Sequence, residues 1–193
     1  MREYILSLLA HGGTGVLNTA PVGSFHDNAE TLAGDMSGTI RTILAQFSEE
    51  TGKVNYEALR ASQVYTAFKE MVAKLKIIDP GQFKSRAEKL AFWVNTYNTL
   101  VLDAVIALNI RRSVAEKMGG ISFFRNARYE IGGLMLSCDD IEHGILRQNR
   151  GHPAFLTPQF KTSDPRLLWV IQPMDVRIHF AINCASRSCP PVR

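Results

Sequence analysis

Cysteine is scarce in this chain: three in 193 residues, too few and odd in number for the bridged framework of a small secreted scaffold. Reduced thiols are expected. Long apolar runs are also missing. No stretch of ~18 apolar residues is free of charge, so no membrane span is predicted, and the apolar residues 5–10 (ILSLLA) are shorter than a usual signal core. A cytoplasmic location follows as the expectation. No repeat of ~20–50 residues is visible and Gly and Pro are near average, which excludes solenoids and low-complexity chains. The net charge is +4, but the basic residues are not gathered into a stripe. Only Arg111, Arg112, Lys117, Arg125 and Arg128 cluster locally, without the interleaved aromatics of a single-strand platform, so they read as a solvated face and no nucleic-acid partner is expected.

What is present is enough apolar residue, 46% against 21% charged, to bury one core in one domain. Residues 11–38 are rich in Gly, Thr, Ser, Asn and Asp with no sustained period, so residues 1–38 read as a loop-rich or mobile arm and residues 39–193 as the packed domain. Ile40, Ile43, Leu44 and Phe47 recur at helical spacing; Val54, Tyr56 and Leu59 open a second amphipathic helix that leads to Phe68, Met71, Val72 and Leu75. Residues 87–108 are apolar almost all round, the mark of a helix buried on every face. Its polar exceptions Asn95, Asn98 and Thr99 share one side. Residues 129–136 read as a hairpin turning at Gly132 and Gly133. Ser137 and Asp140 resemble a capping box for a helix over residues 139–147, with Ile141 and Ile145 on one side and Asp140, His143 and Arg147 on the other. A polar loop over residues 151–165 leads to a short strand at 167–171. The fold class is therefore α+β: a helix-rich single domain with a central buried helix and a small, mainly antiparallel sheet.

The chemistry concentrates at the C-terminal end. In residues 175–184 (DVRIHFAINC) Val176, Ile178, Phe180 and Ile182 alternate with Arg177, His179, Ala181 and Asn183, the period of a half-buried strand. That pattern puts His179 and Asn183 on one face and Cys184 at the strand's end. A thiol on a turn, with Arg187 nearby in sequence, a histidine within reach and free backbone amides, has the parts of an activated nucleophile. The competing reading is a cysteine that only packs. Two further chemistries use the same atoms: zinc held by Cys184 and Cys189 with His143 or His179, a weak match because the two cysteines lack the CxxC spacing, and a reversible Cys184–Cys189 disulfide. His143, beside Asp139, Asp140 and Glu142, is a second candidate base or a solvated helix residue. His11, His26 and His152 read as surface residues. Asn95 and Asn98 are candidates either for the site or for binding nearby backbone.

Three phrases, KLAFWVNTYN (residues 89–98), LSCDDIEHGILR (residues 136–147) and DVRIHFAINCASRSCPP (residues 175–191), together resemble the domain of unknown function 547 family over roughly residues 54–193. The resemblance imports no reaction. It draws attention to Trp93, Asn95, Tyr97, Asn98, Asp140, Glu142, His143, Arg147, His179, Cys184, Cys189 and Pro190, and it implies that Cys138, where the family usually has an apolar residue, points into the core. Members of this kind occur in bacteria and, in plants, joined to a coiled-coil segment, which keeps an interaction role open. The resemblance also implies further helical sequence beyond the Cys-Pro-Pro motif, so the chain reads as a C-terminally truncated member.

The expected function is a cysteine-dependent hydrolase or acyl transferase. Cys184 is its nucleophile and His179 or His143 its base, with Asn95, Asn98, Asp140, Glu142, Arg147, Arg177, Asn183 and Cys189 in support; neither metal nor cofactor is expected. Its substrate or protein partner is not readable. The alternative is a non-catalytic binding or interaction module with structural thiols.

Overall fold

The computed structural model describes residues 15–23, 28–49, 54–111, 113–114, 120–155 and 157–185. Asn28 begins the first helix, α1 (Ala29–Phe47), its side chain accepting from the Thr31 amide, as an N-cap should. The helix therefore starts ten residues before the expected boundary at Thr39. Ala29, Leu32, Ala33, Met36, Ile40 and Ile43 form its buried stripe. The small residues and two glycines of its first half hid this period from hydropathy. The second expected helix is two: α2 (Tyr56–Arg60), capped by Asn55, and α3 (Gln63–Ala73), capped by Ser62.

The central helix α4 (Arg86–Ala107) opens on a full capping box between Ser85 and Glu88. It packs against α1, α2 and α3 and, farther along, against the helix that carries His143. By length and composition this helix is apolar enough to cross a membrane, but most of it is buried inside the protein. Phe92, Trp93, Tyr97, Leu100 and Ala104 are fully enclosed. Burying one such large side chain stabilises by ~1.5–3 kcal/mol.

After α5 (Gly120–Asn126) the chain forms the expected hairpin. β1 (Arg128–Ile131) pairs antiparallel with β2 (Leu134–Ser137), from Arg128 opposite Ser137 to Ile131 opposite Leu134. Both turn glycines have positive φ, +55° and +76°, and a Cβ on Gly132 would stand 2.9 Å from the Ile78 carbonyl oxygen, so glycine is required there on two counts. The hairpin is the whole sheet among the described residues. The capping box at Ser137 is real, with Asp140 in the acidic role: the Asp140 amide donates to Ser137 Oγ and the Ser137 amide to the Asp140 carboxylate.

The helix it starts, α6 (Asp140–Leu146), is wound as a π-helix, a form frequent at functional sites. Its wider turn, together with the packing of Phe160 against Gly144, where a Cβ would meet the ring at 2.3 Å, turns His143 inward. His143 is buried rather than lining an open polar face.

Both strands expected after α6 are absent. Asp164 caps a 3₁₀ turn, Pro165–Trp169, with proline at its start. In residues 175–184 the Asp175 carboxylate accepts from the Arg177 amide, and the amides of Ile178, His179 and Phe180 each bond three residues back. A single helical turn, α7 (Ile178–Ala181), results. The alternation does not describe burial: Ile178 is 1% exposed, whereas Val176 is 66% and Phe180 83% exposed. Local hydrogen bonds won because no neighbouring strand offers this segment a ladder among the described residues.

Candidate functional site

α4 and α6 pack against each other, and α7 with its following turn is joined to α4 through Asn98 and to the end of α6 through Arg147. Tyr97 of α4 donates its hydroxyl to Glu142 Oε2 of α6 at 2.8 Å. Glu142 Oε1 accepts from Arg147 Nη2 at 2.7 Å, and the same Nη2 stands 3.3 Å from His179 Nδ1. Because guanidinium can only donate, this contact makes Nδ1 of His179 the acceptor and leaves the ring proton on the exposed Nε2. Burial, then the charge of Glu142, holds the Tyr97 phenol well above its ordinary range, so it remains a neutral donor.

Asn98 fixes the thiol segment. Its Nδ2 donates to the Ala181 carbonyl at 2.9 Å and its Oδ1 accepts from the Asn183 amide at 2.8 Å. Asn183 Oδ1 in turn accepts from the Ala185 amide at 2.8 Å, closing a tight turn around Cys184 with Ala185 at φ +53°. A left-handed alanine costs ~1 kcal/mol or more, which the three hydrogen bonds offset. Cys184 is half-buried there, near enough to Tyr97 for its charge to act on the phenol.

His143 occupies the other flank of Glu142. Its Nε2 stands 3.7 Å from Asp139 Oδ1 and 3.9 Å from Glu142 Oε1, while Nδ1 is buried without a hydrogen-bond partner. Burial, followed by the positive charge of Arg147, lowers the pKa of His143 to about 3, so at neutral pH the ring is uncharged and keeps one lone pair. Asp139 is pushed up to about 7 by burial, against the pull of Arg125 at 3.4 Å. The His152 ring lies edge-on to His143 at 4.8 Å between centroids. Its Nδ1 accepts from the Ala154 amide.

The structure thus links Glu142, Arg147, His179 and His143 with one another, and Asn98 and Asn183 with the turn of Cys184, around the α4–α6 junction. Asn95 is elsewhere, donating to the Ala33 carbonyl and tying α4 to α1. Arg177 pairs with Asp175, whose carboxyl it holds well below the usual range. Asp140 serves the cap, accepts from Gln159 and Arg166, and lines a separate cavity of about 730 Å³ with Arg125, Arg128 and Phe155. Cys189, Arg187 and Pro190, with both roles expected of Cys189, lie outside the described residues. Cys138 is fully buried, its thiol pushed far above the ordinary range by burial and then by Asp139, which makes it inert.

Three participants had been given no role of their own. Tyr97 is the link between the thiol turn and Glu142, and a buried hydroxyl in an apolar helix was its signal. Asp139 and His152 join His143 in a group whose ligand-capable atoms all lie within 4.8 Å of one another. His152 is half-buried against His143 and not a surface residue. The Asp139-x-x-x-His143 spacing was readable; the return of His152 was not.

The chain has no match among the curated proteins or the solved structures. A family model does match, over residues 81–193, more than half the chain though starting later than the resemblance suggested. The chain is a member of the family described as Protein of unknown function, DUF547.

Proposed function

We propose that this is a cysteine-dependent hydrolase or acyl-transfer site. Cys184 attacks a carbonyl carbon, His143 takes the thiol proton on Nδ1, and the Nε2–H of His179 faces the developing oxyanion or leaving group. The observation that carries the reading is the pair of hydrogen bonds between the Asn98 side chain and the backbone on both sides of Ile182. A half-buried amide on the central helix is spent on locating one turn, which suits a nucleophile that must be held in place before reaction. Support comes from His143, whose Nε2 is turned toward two carboxylates and whose Nδ1 is left bare, the arrangement of an oriented neutral base; with its pKa held to about 3 by burial, it takes the thiol proton in concert with attack, as thiolate charge forms beside it. Arg147 adds positive charge beside the thiol segment, which favours thiolate.

The test is the rate of iodoacetamide alkylation at Cys184, followed by mass spectrometry from pH 5 to 9 in the wild type, His143→Gln and His179→Ala. The wild-type rate at pH 6.5 should exceed that of an ordinary thiol of pKa ~8.5 by about 10-fold or more, and His143→Gln should remove the excess. Alkylation that follows an unperturbed thiol in all three proteins sinks the proposal. It would favour the second reading, an interaction module, for which the exposed Val176 and Phe180 beside the turn are the supporting observation.

A further inference from the structure

We propose that Asp139, His143 and His152 form a binding site for one divalent transition-metal ion of the zinc class. Asp139 stands one residue before α6, His143 lies within it, and His152 returns on the loop that follows. Their donor atoms all lie within 4.8 Å of one another, and Asp139 Oδ1 is 3.7 Å from His143 Nε2. Ligands bound to one zinc ion at ~2.0–2.1 Å stand ~3.3 Å apart, so an ion closes the group by small side-chain movements. Two imidazoles and one carboxylate with a fourth position open form a familiar donor set for this ion.

A second, independent observation points to a ligand. Asp139 is 3% and His143 5% exposed, yet His143 Nδ1 has no hydrogen-bond partner among the described residues and Asp139 Oδ2 has none beside its 3.4 Å ion pair with Arg125, so the buried ring can offer either nitrogen to an ion. Buried polar atoms are seldom left so. Arg125 approaches Asp139 Oδ2 at 3.4 Å and stacks on Phe155, leaving Oδ1 to the His143 side. That guanidinium and Arg147 both oppose a cation; Glu142, 3.9 Å from His143 Nε2 and ion-paired to Arg147 at 2.7 Å, offsets one of the two charges.

His152 sets a condition. Its Nδ1 now accepts from the Ala154 amide at 3.0 Å, so the ring proton is on Nε2. Metal at Nε2 displaces that proton and a neutral ring carries it on Nδ1, releasing Ala154. Binding is therefore coupled to the turn at residues 152–155. Occupation also removes His143 from service as the base of Cys184, a consequence that rests on the proposed function.

The purified full chain should be dialysed against Zn²⁺ for metal analysis and titrated with Co²⁺, whose visible spectrum reports the ligand geometry. One ion per chain is expected in the wild type and in Cys184→Ser. His152→Asn, which removes Nε2 but offers an oxygen near the Nδ1 position to the Ala154 amide, should weaken binding at least ~10-fold with an unchanged circular dichroism spectrum. No binding by the wild type overturns the site, as does unchanged affinity in His152→Asn. Loss of binding in Cys184→Ser would assign the metal to the thiol and overturn it equally. Zn²⁺ should slow alkylation of Cys184 in the wild type and not in His152→Asn. One bound ion without such slowing leaves the site standing and overturns the role of His143 as base.

Discussion

Two carboxylates are buried to the same degree and treated in opposite ways. Asp103, 2% exposed on α4, accepts the Tyr65 hydroxyl on Oδ1 at 3.0 Å and the Tyr129 hydroxyl on Oδ2 at 3.1 Å. These bonds tie α3 and β1 to the central helix. Asp139, 3% exposed, faces His143 at 3.7 Å and Arg125 at 3.4 Å, and Oδ2 has no hydrogen bond. The first is a closed polar network of the kind that specifies a core. The second holds groups in place without satisfying them, a cost that folding alone does not reward and that suits a site awaiting a ligand or a proton.

Four measurements would break or sharpen this contrast. The largest effect is expected from Asp103→Ala, which takes the carboxylate from the buried Tyr65 hydroxyl and leaves Tyr129 only the Leu100 carbonyl: a loss of about 3 kcal/mol in urea unfolding, against about 1 kcal/mol or less for Asp139→Ala. Equal losses would erase the distinction.

Next comes the pH dependence of the unfolding midpoint. Burial raises the Asp103 carboxyl to about 6 from 3.8, against the opposing bonds of the two phenols. Its contribution to stability is present below pH 3.8 and lost as pH rises through about 6. Asp139, raised to about 7, acts with the same sign. His143, lowered to about 3 from 6.5, acts with the opposite one: its contribution is present above pH 6.5 and lost as pH falls through about 3. The Asp139–His143 pair thus partly cancels while Asp103 is uncancelled. Asp103→Asn and Asp139→Asn should each flatten the fall in stability between pH 4 and 6, because either leaves one raised carboxyl against His143; between pH 6 and 7 Asp103→Asn should keep the wild-type slope while Asp139→Asn turns it upward. Identical slopes for the two variants between pH 6 and 7 would contradict the contrast.

Asn98→Ala removes both bonds to the thiol turn, and a loss of about 1–2 kcal/mol is expected, with Cys184 alkylation falling back to that of an ordinary thiol. Retained reactivity would show that the turn holds itself. The smallest effect is expected of Tyr129→Phe, about 1 kcal/mol by urea unfolding, because the Asp103 carboxylate keeps Tyr65 as a donor and only Oδ2 is left bare.

How much of this was legible follows from the range of each interaction. The central helix, the hairpin turn at Gly132 and Gly133 and the box between Ser137 and Asp140 were readable because each is decided by residues within a few positions. The C-terminal segment misled for an instructive reason. Alternation is a statement about a strand's two faces, and it has force only where a neighbouring strand exists. Here Asp175 reached two residues along the chain to the Arg177 amide and started a turn instead. The early start of α1 was missed because alanine and glycine carry little hydropathy, even where close packing requires them.

By itself, the amino-acid sequence determined the class of the fold, the central helix and the short roll of candidate groups, Cys184, His179, His143 and Glu142, since composition, period and local capping are properties of neighbours in the chain. Only the tertiary structure decided which of them meet. Asn98 reaches a backbone 83 and 85 residues away, Tyr97 a carboxylate 45 residues on, and His143 turns inward beside His152. Those pairings depend on the packing of α4 against α6 and on the π winding that rotates His143, and neither is encoded in any local pattern.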